Sequence, residues 1–302
     1  MKSKNNSAIK WEGIFAALWT PTDKSGKLLK AKLKANIAFV RQSPVTGVLA
    51  LASTGEFIYL DVETRKQLLA EVIQCAAPLP VIANISDIRP QAVIELARFA
   101  QKSGAHAVTL LPPYFYHFSQ NELVEWFVRA GEATDLPLFL YNFPELTGNK
   151  IALDTIGEIC RRTRVAGIKQ SGPEFDYLKP LVELGREKNF VVFTGADIFL
   201  ANLLEMGGAG CIGGFANVVS DVMTEIFLAA RAGDPSRLRI ADARLQTVWS
   251  TTEDLPFPLS VAAAMEARGL AVGEPKGILS GATKALYKKR VGQLRALFAA
   301  WK

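Results

Sequence analysis

Short continuous apolar runs alternate along the chain with longer stretches in which apolar residues recur at helical spacing. The runs at 13–20, 47–52, 81–84, 105–111, 136–141, 165–169, 190–194 and 210–213 predict strands. The periodic stretches at 31–42, 63–77, 90–102, 121–133, 151–161, 175–188 and 198–206 predict helices. Prolines at 21, 78, 80, 112, 113 and 144 punctuate the pattern. Strands that are apolar throughout, rather than every second residue, belong to a parallel sheet buried on both faces. Eight such strands, with a helix between each and the next, predict a closed (β/α)₈ TIM barrel; a doubly wound open sheet is the alternative. After Asn217 the strand pattern stops, and 222–232, 236–249, 259–269 and 284–301 predict a C-terminal helical extension. The expected organisation is a barrel over residues 1–220 that carries the active site, and a helical region over 221–302.

A barrel of this kind does its chemistry where strands run out into loops. At those ends lie Ser53, Thr54, Gly55 and Glu56, then Pro112-Pro113-Tyr114, Tyr141-Asn142, Lys169, Ser171, Gly195-Ala196-Asp197 and Gly213-Gly214. Lys169 organises this set. It ends the apolar run 165–168, where a lysine either snorkels to water or holds its amine in an apolar pocket. Desolvation disfavours an ammonium, so a pocketed amine is a nucleophile for a carbonyl. Tyr141 ends the preceding strand and could shuttle a proton; it could equally be a core tyrosine. Ser53 and Thr54 suit either a substrate carboxylate or the capping of a helix. Gly213 and Gly214 allow close approach of a substrate to the backbone, or simply end a strand.

Gly208 to Gly213 matches GxGxxG, but a predicted helix precedes it and a strand fills its second half, the reverse of a dinucleotide site. The net charge of +6 favours anionic small molecules mildly, and the basic run 284–290 reads as a solvated helix face rather than a nucleic-acid site. Two histidines, without Cys/His ligand spacing, argue against a metal centre. Cys75, Cys160 and Cys211 are odd in number and far apart, which points to a reducing, cytoplasmic setting. The polar segment 1–10 is not a signal peptide, and no apolar stretch is long enough to span a bilayer.

Ser-Thr-Gly-Glu at 53–56, Pro-Pro-Tyr at 112–114, Tyr-Asn-Phe-Pro at 141–144, Gly-Ile-Lys at 167–169 and Gly-Ala-Asp at 195–197 occur in one register. In these the chain resembles, from Gly13 to Gly281, the dihydrodipicolinate synthase / N-acetylneuraminate lyase family of class I aldolases. The resemblance implies a TIM barrel, a homotetramer built as a dimer of dimers, no metal or organic cofactor, and a 2-oxo acid substrate whose pyruvate end is held as a Schiff base. By position it makes Lys169 the Schiff-base lysine, Tyr141 the proton-transfer tyrosine and Thr54 a relay hydroxyl. Ser53, Thr54, Gly55, Ser171, Gly195, Asp197, Gly213 and Gly214 are the expected substrate contacts.

Departures from the family pattern bear on the substrate. Phe115 stands where some members have a second relay tyrosine, and Leu146 where dihydrodipicolinate synthases usually have an arginine. Ile198 and Gly214 replace the acidic residue and serine usual in sialic acid lyases. The expected activity is therefore a lyase or aldolase for another 2-keto-3-deoxy acid, releasing or condensing pyruvate. The Tyr-Asn-Phe-Pro-Glu-Leu-Thr-Gly run at 141–148 looks most like sugar-acid aldolases. A lysine-pathway synthase or dehydratase, and a non-catalytic barrel that senses 2-oxo acids, are the alternatives.

Overall fold

A computed structural model describes residues 9–172 and 174–301; most of the polar N-terminal segment thus lies outside the described residues. Strands β1 (Gly13–Ala17), β2 (Gly47–Ala50), β3 (Val81–Asn84), β4 (Ala107–Leu110), β5 (Leu138–Asn142), β6 (Val165–Gln170), β7 (Val191–Thr194) and β8 (Gly210–Gly213) form a closed barrel in chain order. All neighbours are parallel, and β8 pairs back onto β1. The open sheet is thereby excluded. The GxGxxG match falls across the entry to β8, as its context in the sequence implied.

The connecting helices are α1 (Lys30–Val40), α2 (Val62–Ala76), α3 (Pro90–Ser103), α4 (Gln120–Glu132), α5 (Pro144–Thr147), α6 (Leu153–Arg162), α7 (Phe175–Lys188) and α8 (Leu200–Glu205). The one-turn α5 lies in a stretch too short for periodicity to reveal it. Local chemistry starts several of the others. Asp61 caps α2 by accepting from the Thr64 N–H at 2.7 Å, and Ser119 with Glu122 forms a capping box on α4. After β8 come α9 (Ser220–Ala232), α10 (Pro235–Ser250), α11 (Leu259–Ala267) and α12 (Gly281–Ala300). No helix among the described residues is long and apolar enough to cross a membrane.

Two apolar layers result. One fills the space between strands and helices. The other plugs the barrel interior with Phe15, Phe139 and Phe193. Phe15 meets Phe193 edge-on at 5.5 Å, and Trp11 meets Phe139 edge-on at 5.1 Å. Gly167 makes room for this plug: a β-carbon there would lie 2.4 Å from the Phe139 ring. Side chains two residues further along the same strands project above the plug. From Phe139 that position is Tyr141, from Gly167 it is Lys169, and from Phe193 it is Gly195.

The first strand is shorter than its apolar run. Leu18 still donates its N–H to the Leu49 carbonyl of β2, but residues 19–20 leave the ladder because the Trp19 N–H donates to Asn217 Oδ1 at 3.1 Å and its indole to the Val272 carbonyl at 2.8 Å. Both partners of Trp19 lie more than 190 residues away in the chain, so no local pattern could have indicated this end.

Candidate active site

The register between β5 and β6 sets the geometry. Leu138 pairs with Val165, but Phe139 pairs with Gly167, so Ala166 is an extra residue in β6. After this bulge Tyr141 stands level with Lys169. Lys169 is only 4% exposed, and its Nζ lies 4.3 Å from the centre of the Tyr141 ring. The amine therefore does not snorkel to bulk water. The buried Tyr141 directs its hydroxyl to Ser53 Oγ at 3.4 Å.

Small residues and polar side chains fit around the lysine. A β-carbon on Gly195 would sit 2.3 Å from Lys169 Cε and 1.9 Å from Ser171 Oγ, so only glycine leaves the lysine stem its path. Ser171 Oγ is buried with no hydrogen-bond partner among the described residues. A buried hydroxyl in that state costs stability unless something else fills its valence. A β-carbon on Gly213 would lie 2.0 Å from Asp197 Oδ1; the glycine clears space for that carboxylate. Asp197 accepts from the Phe215 N–H at 3.2 Å. Burial pushes its carboxyl up to about 6, and the facing Lys169 charge and backbone N–H groups pull against that rise.

Ser53 and Thr54 lie on a 3₁₀ turn, Ser53–Gly55, not on the helix that follows. Asp61 caps that helix, so capping is not what these hydroxyls do. Leu51 before the turn and Glu56 after it both hold left-handed backbone, at φ 60° and 57°. Left-handed backbone at such residues is sparsely populated, and it recurs where a site dictates the chain path. Gly55 is not turned to the lysine: its N–H donates to the Ala52 carbonyl, and a β-carbon would strike the Leu18 carbonyl at 2.7 Å. Thr54 Oγ1 lies 3.2 Å from the place of a Gly214 β-carbon, so these two residues share one side of the mouth.

A family model described as the dihydrodipicolinate synthetase family matches residues 10–292. The chain belongs to that family. Its curated relatives include the 4-hydroxy-tetrahydrodipicolinate synthase of Methanosarcina mazei, 29% identical over 287 residues, which cover 95% of this chain and 98% of the relative. Among solved structures it is similar to YagE, a prophage protein of the dihydrodipicolinic acid synthase family from E. coli K12, seen in complex with pyruvate. That match has a TM-score of 0.87 and 27% identity, and covers 94% of this chain and 99% of YagE. It is also similar to an N-acetylneuraminate lyase from Mycoplasma synoviae, with a TM-score of 0.83, 27% identity and coverage of 96% and 98%. The aldolase reading made from the sequence holds: the chain is a class I pyruvate lyase of the dihydrodipicolinate synthetase family.

Within that family the departures now have positions. Phe115 is 83% exposed, at φ 85°, and packs edge-on against Tyr116 rather than reaching Tyr141 of its own chain. Leu146 is half-exposed at the mouth, beside Phe257 and Pro258. A serine at 214 would press its β-carbon to 2.9 Å from Val261 Cγ2, so the packing of α11 goes with glycine.

Residues of the helical region reach the mouth, which the sequence pattern did not indicate. Lys276 lies in a connector between α11 and α12, and connectors are ordinarily exposed. Here its side chain is 4% exposed, and its Nζ donates to Glu56 at 3.0 Å and to the Thr20 carbonyl at 2.8 Å. Burial lowers the Lys276 pKa, and Glu56 opposes the fall. The only advance sign was a Glu56 in the recognisable Ser-Thr-Gly-Glu motif with no partner assigned.

Proposed function

We propose that this enzyme cleaves, or forms, a 2-keto-3-deoxy acid through a Schiff base on Lys169. The observation that carries the reading is a lysine amine withdrawn from water and set over the ring of the one tyrosine aligned with it. Lys169 attacks the C2 ketone, and the carbinolamine loses its hydroxyl as water, taking the Tyr141 proton. The phenolate left behind accepts the proton of the C4 hydroxyl. The C3–C4 bond breaks, its electron pair runs to the iminium nitrogen, and an aldehyde leaves. Tyr141 then protonates C3 of the enamine, and water returns to release pyruvate.

Ser53 and Thr54 hold the 2-oxo acid carboxylate on their turn; Ser53, rather than the Thr54 that the resemblance implied, joins Tyr141 in the proton relay, and Ser171 gives the substrate a hydroxyl that has no partner among the described residues. Gly195, Gly213 and Gly214 supply room. Asp197, facing Lys169, balances the iminium charge. The barrel over residues 1–220 holds these groups, and 221–302 buttresses the mouth. The exposed Phe115–Tyr116 pair supports the family's homotetramer, and three free cysteines support a cytoplasmic setting.

The test is reduction with borohydride in the presence of pyruvate, followed by peptide mass spectrometry. A reduced pyruvate adduct on Lys169 is expected. An adduct on another lysine, or none at saturating pyruvate, rejects the mechanism. Turnover of a 2-keto-3-deoxy acid separates the enzyme from a 2-oxo-acid sensor.

Asp197 adds a pH signature. Ionised above about pH 6, it stabilises the iminium; protonated below that, it does not. kcat/KM should therefore drop as the pH falls through 6, and Asp197→Asn should remove that limb. The same limb persisting in the variant assigns it to another group. Stability has the opposite sign: a carboxyl raised from 3.8 to about 6 holds its proton more tightly when folded, so its contribution declines as pH rises across that window.

A further inference from the structure

Beside the Tyr141 hydroxyl the mouth opens into a cavity of about 230 Å³ that none of the proposed steps uses. Ser53 belongs both to this cavity and to the Tyr141 hydrogen bond, so the two spaces are continuous. Aromatic contacts make the same connection. Tyr141 stacks on Phe143 at 6.1 Å, and Phe143 meets Phe257, a cavity wall, at 6.2 Å. The C4 hydroxyl must sit next to the Tyr141 oxygen that takes its proton, which directs the rest of the aldehyde toward this cavity.

The walls are mainly apolar: Phe57, Leu111, Tyr114, Leu146, Phe257 and Pro258. The polar groups among them are already engaged. Glu56 is bound to Lys276, and the buried Thr147 hydroxyl donates to backbone carbonyls, to Asn149 O at 2.9 Å. The neighbouring cations are also taken. Arg65 donates to Asp87 Oδ2 at 3.1 Å and to Ser86 O at 2.7 Å. Arg89 is paired with Asp87 and Lys150 with Glu174. Among the described residues no unpaired cation lines the cavity. The hydroxyls of Tyr59 and Tyr114 are the polar side-chain tips left for a substituent among the described residues. A polyol chain or an amino acid end would surrender its water there with only these two phenols to replace several hydrogen bonds, at a cost for each group left over. Apolar walls of this extent, half-exposed at Leu146 and Phe257, gain by covering an apolar substituent.

We infer that the aldehyde partner of pyruvate carries an aryl or branched alkyl group. The natural substrate is then a 4-hydroxy-2-oxo acid with an apolar tail rather than a sugar acid or the aspartate semialdehyde adduct. The inference rests on the Schiff-base reading and narrows it. Bond changes are those of the aldol step: the enamine C3 joins the aldehyde carbon, the carbonyl oxygen gains the Tyr141 proton, and water frees Lys169.

The experiment condenses pyruvate with benzaldehyde, isobutyraldehyde, glyceraldehyde and aspartate semialdehyde in parallel, with borohydride trapping of pyruvate as the control. The apolar aldehydes should exceed both polar ones in kcat/KM by about tenfold or more, the scale on which apolar pockets discriminate. Leu146→Arg should reverse the order between isobutyraldehyde and the semialdehyde, and Phe257→Ala should weaken the preference for benzaldehyde. Polar aldehydes reacting as fast or faster, with Lys169 still trapped, overturn the apolar assignment and leave the Schiff base standing. Equal rates for all four would mean the cavity is closed by a neighbouring subunit and selects nothing, which also overturns it. Failure to trap Lys169 removes the Schiff-base reading and this inference together.

Discussion

Lys169→Met should abolish turnover, lowering kcat by on the order of 10⁴-fold or more, as expected when a covalent nucleophile is removed. Methionine keeps a straight, apolar stem for the channel that Gly195 leaves open, so the barrel should stay folded. What disappears is the amine and, with it, the only route to an iminium electron sink. A second effect follows from charge. Asp197 faces Lys169, and without that cation only backbone N–H groups oppose the desolvation of the carboxyl, which should titrate above the value of about 6 it has in the intact protein. Pyruvate release from a 2-keto-3-deoxy acid, with circular dichroism as the folding control, measures the first. Titration of the Asp197 carboxyl by NMR measures the second. A folded variant that keeps a tenth of its turnover would show that another amine forms the imine.

Tyr141→Phe should lower kcat by on the order of 10²-fold, the usual scale for losing a positioned acid–base group. The ring would still underlie the lysine, and only the hydroxyl bonded to Ser53 would be lost. KM for the 2-oxo acid should change much less than kcat, because the carboxylate hydroxyls remain. Phe115 supplies no phenol, and Tyr116 is exposed at the rim against Phe115. If Tyr116→Phe loses activity while Tyr141→Phe retains it, the proton path runs through the rim and the assignment to Tyr141 falls.

Both expectations turn on one register. Were the same residues of β6 paired without the bulge, Tyr141 would stand beside Ile168 and the lysine would be one position out of line. Ala166 looks like any other small apolar residue in the run Val165–Gln170, and only strand pairing shows that it bulges. The glycines carried a similar ambiguity. Gly195 and Gly213 could have been turns or substrate contacts, whereas the packed structure shows them as clearances for Lys169 and Asp197. Gly55 looked like a substrate contact beside two hydroxyls, yet it serves the approach of the turn to the end of β1.

The chain by itself determined the barrel, the order of its strands and the lysine at the end of the sixth. These are local matters: strands buried on both faces must be apolar throughout, helices must show one apolar face, and a charged residue at such a strand end stands out. Tertiary structure alone decided the alignment of Tyr141 with Lys169, the buried Lys276–Glu56 pair and the apolar cavity walled by Phe257 and Leu146. Each of these joins segments far apart in the chain. Their energies come from burial and pairing across the closed barrel, and no periodicity within one segment records them.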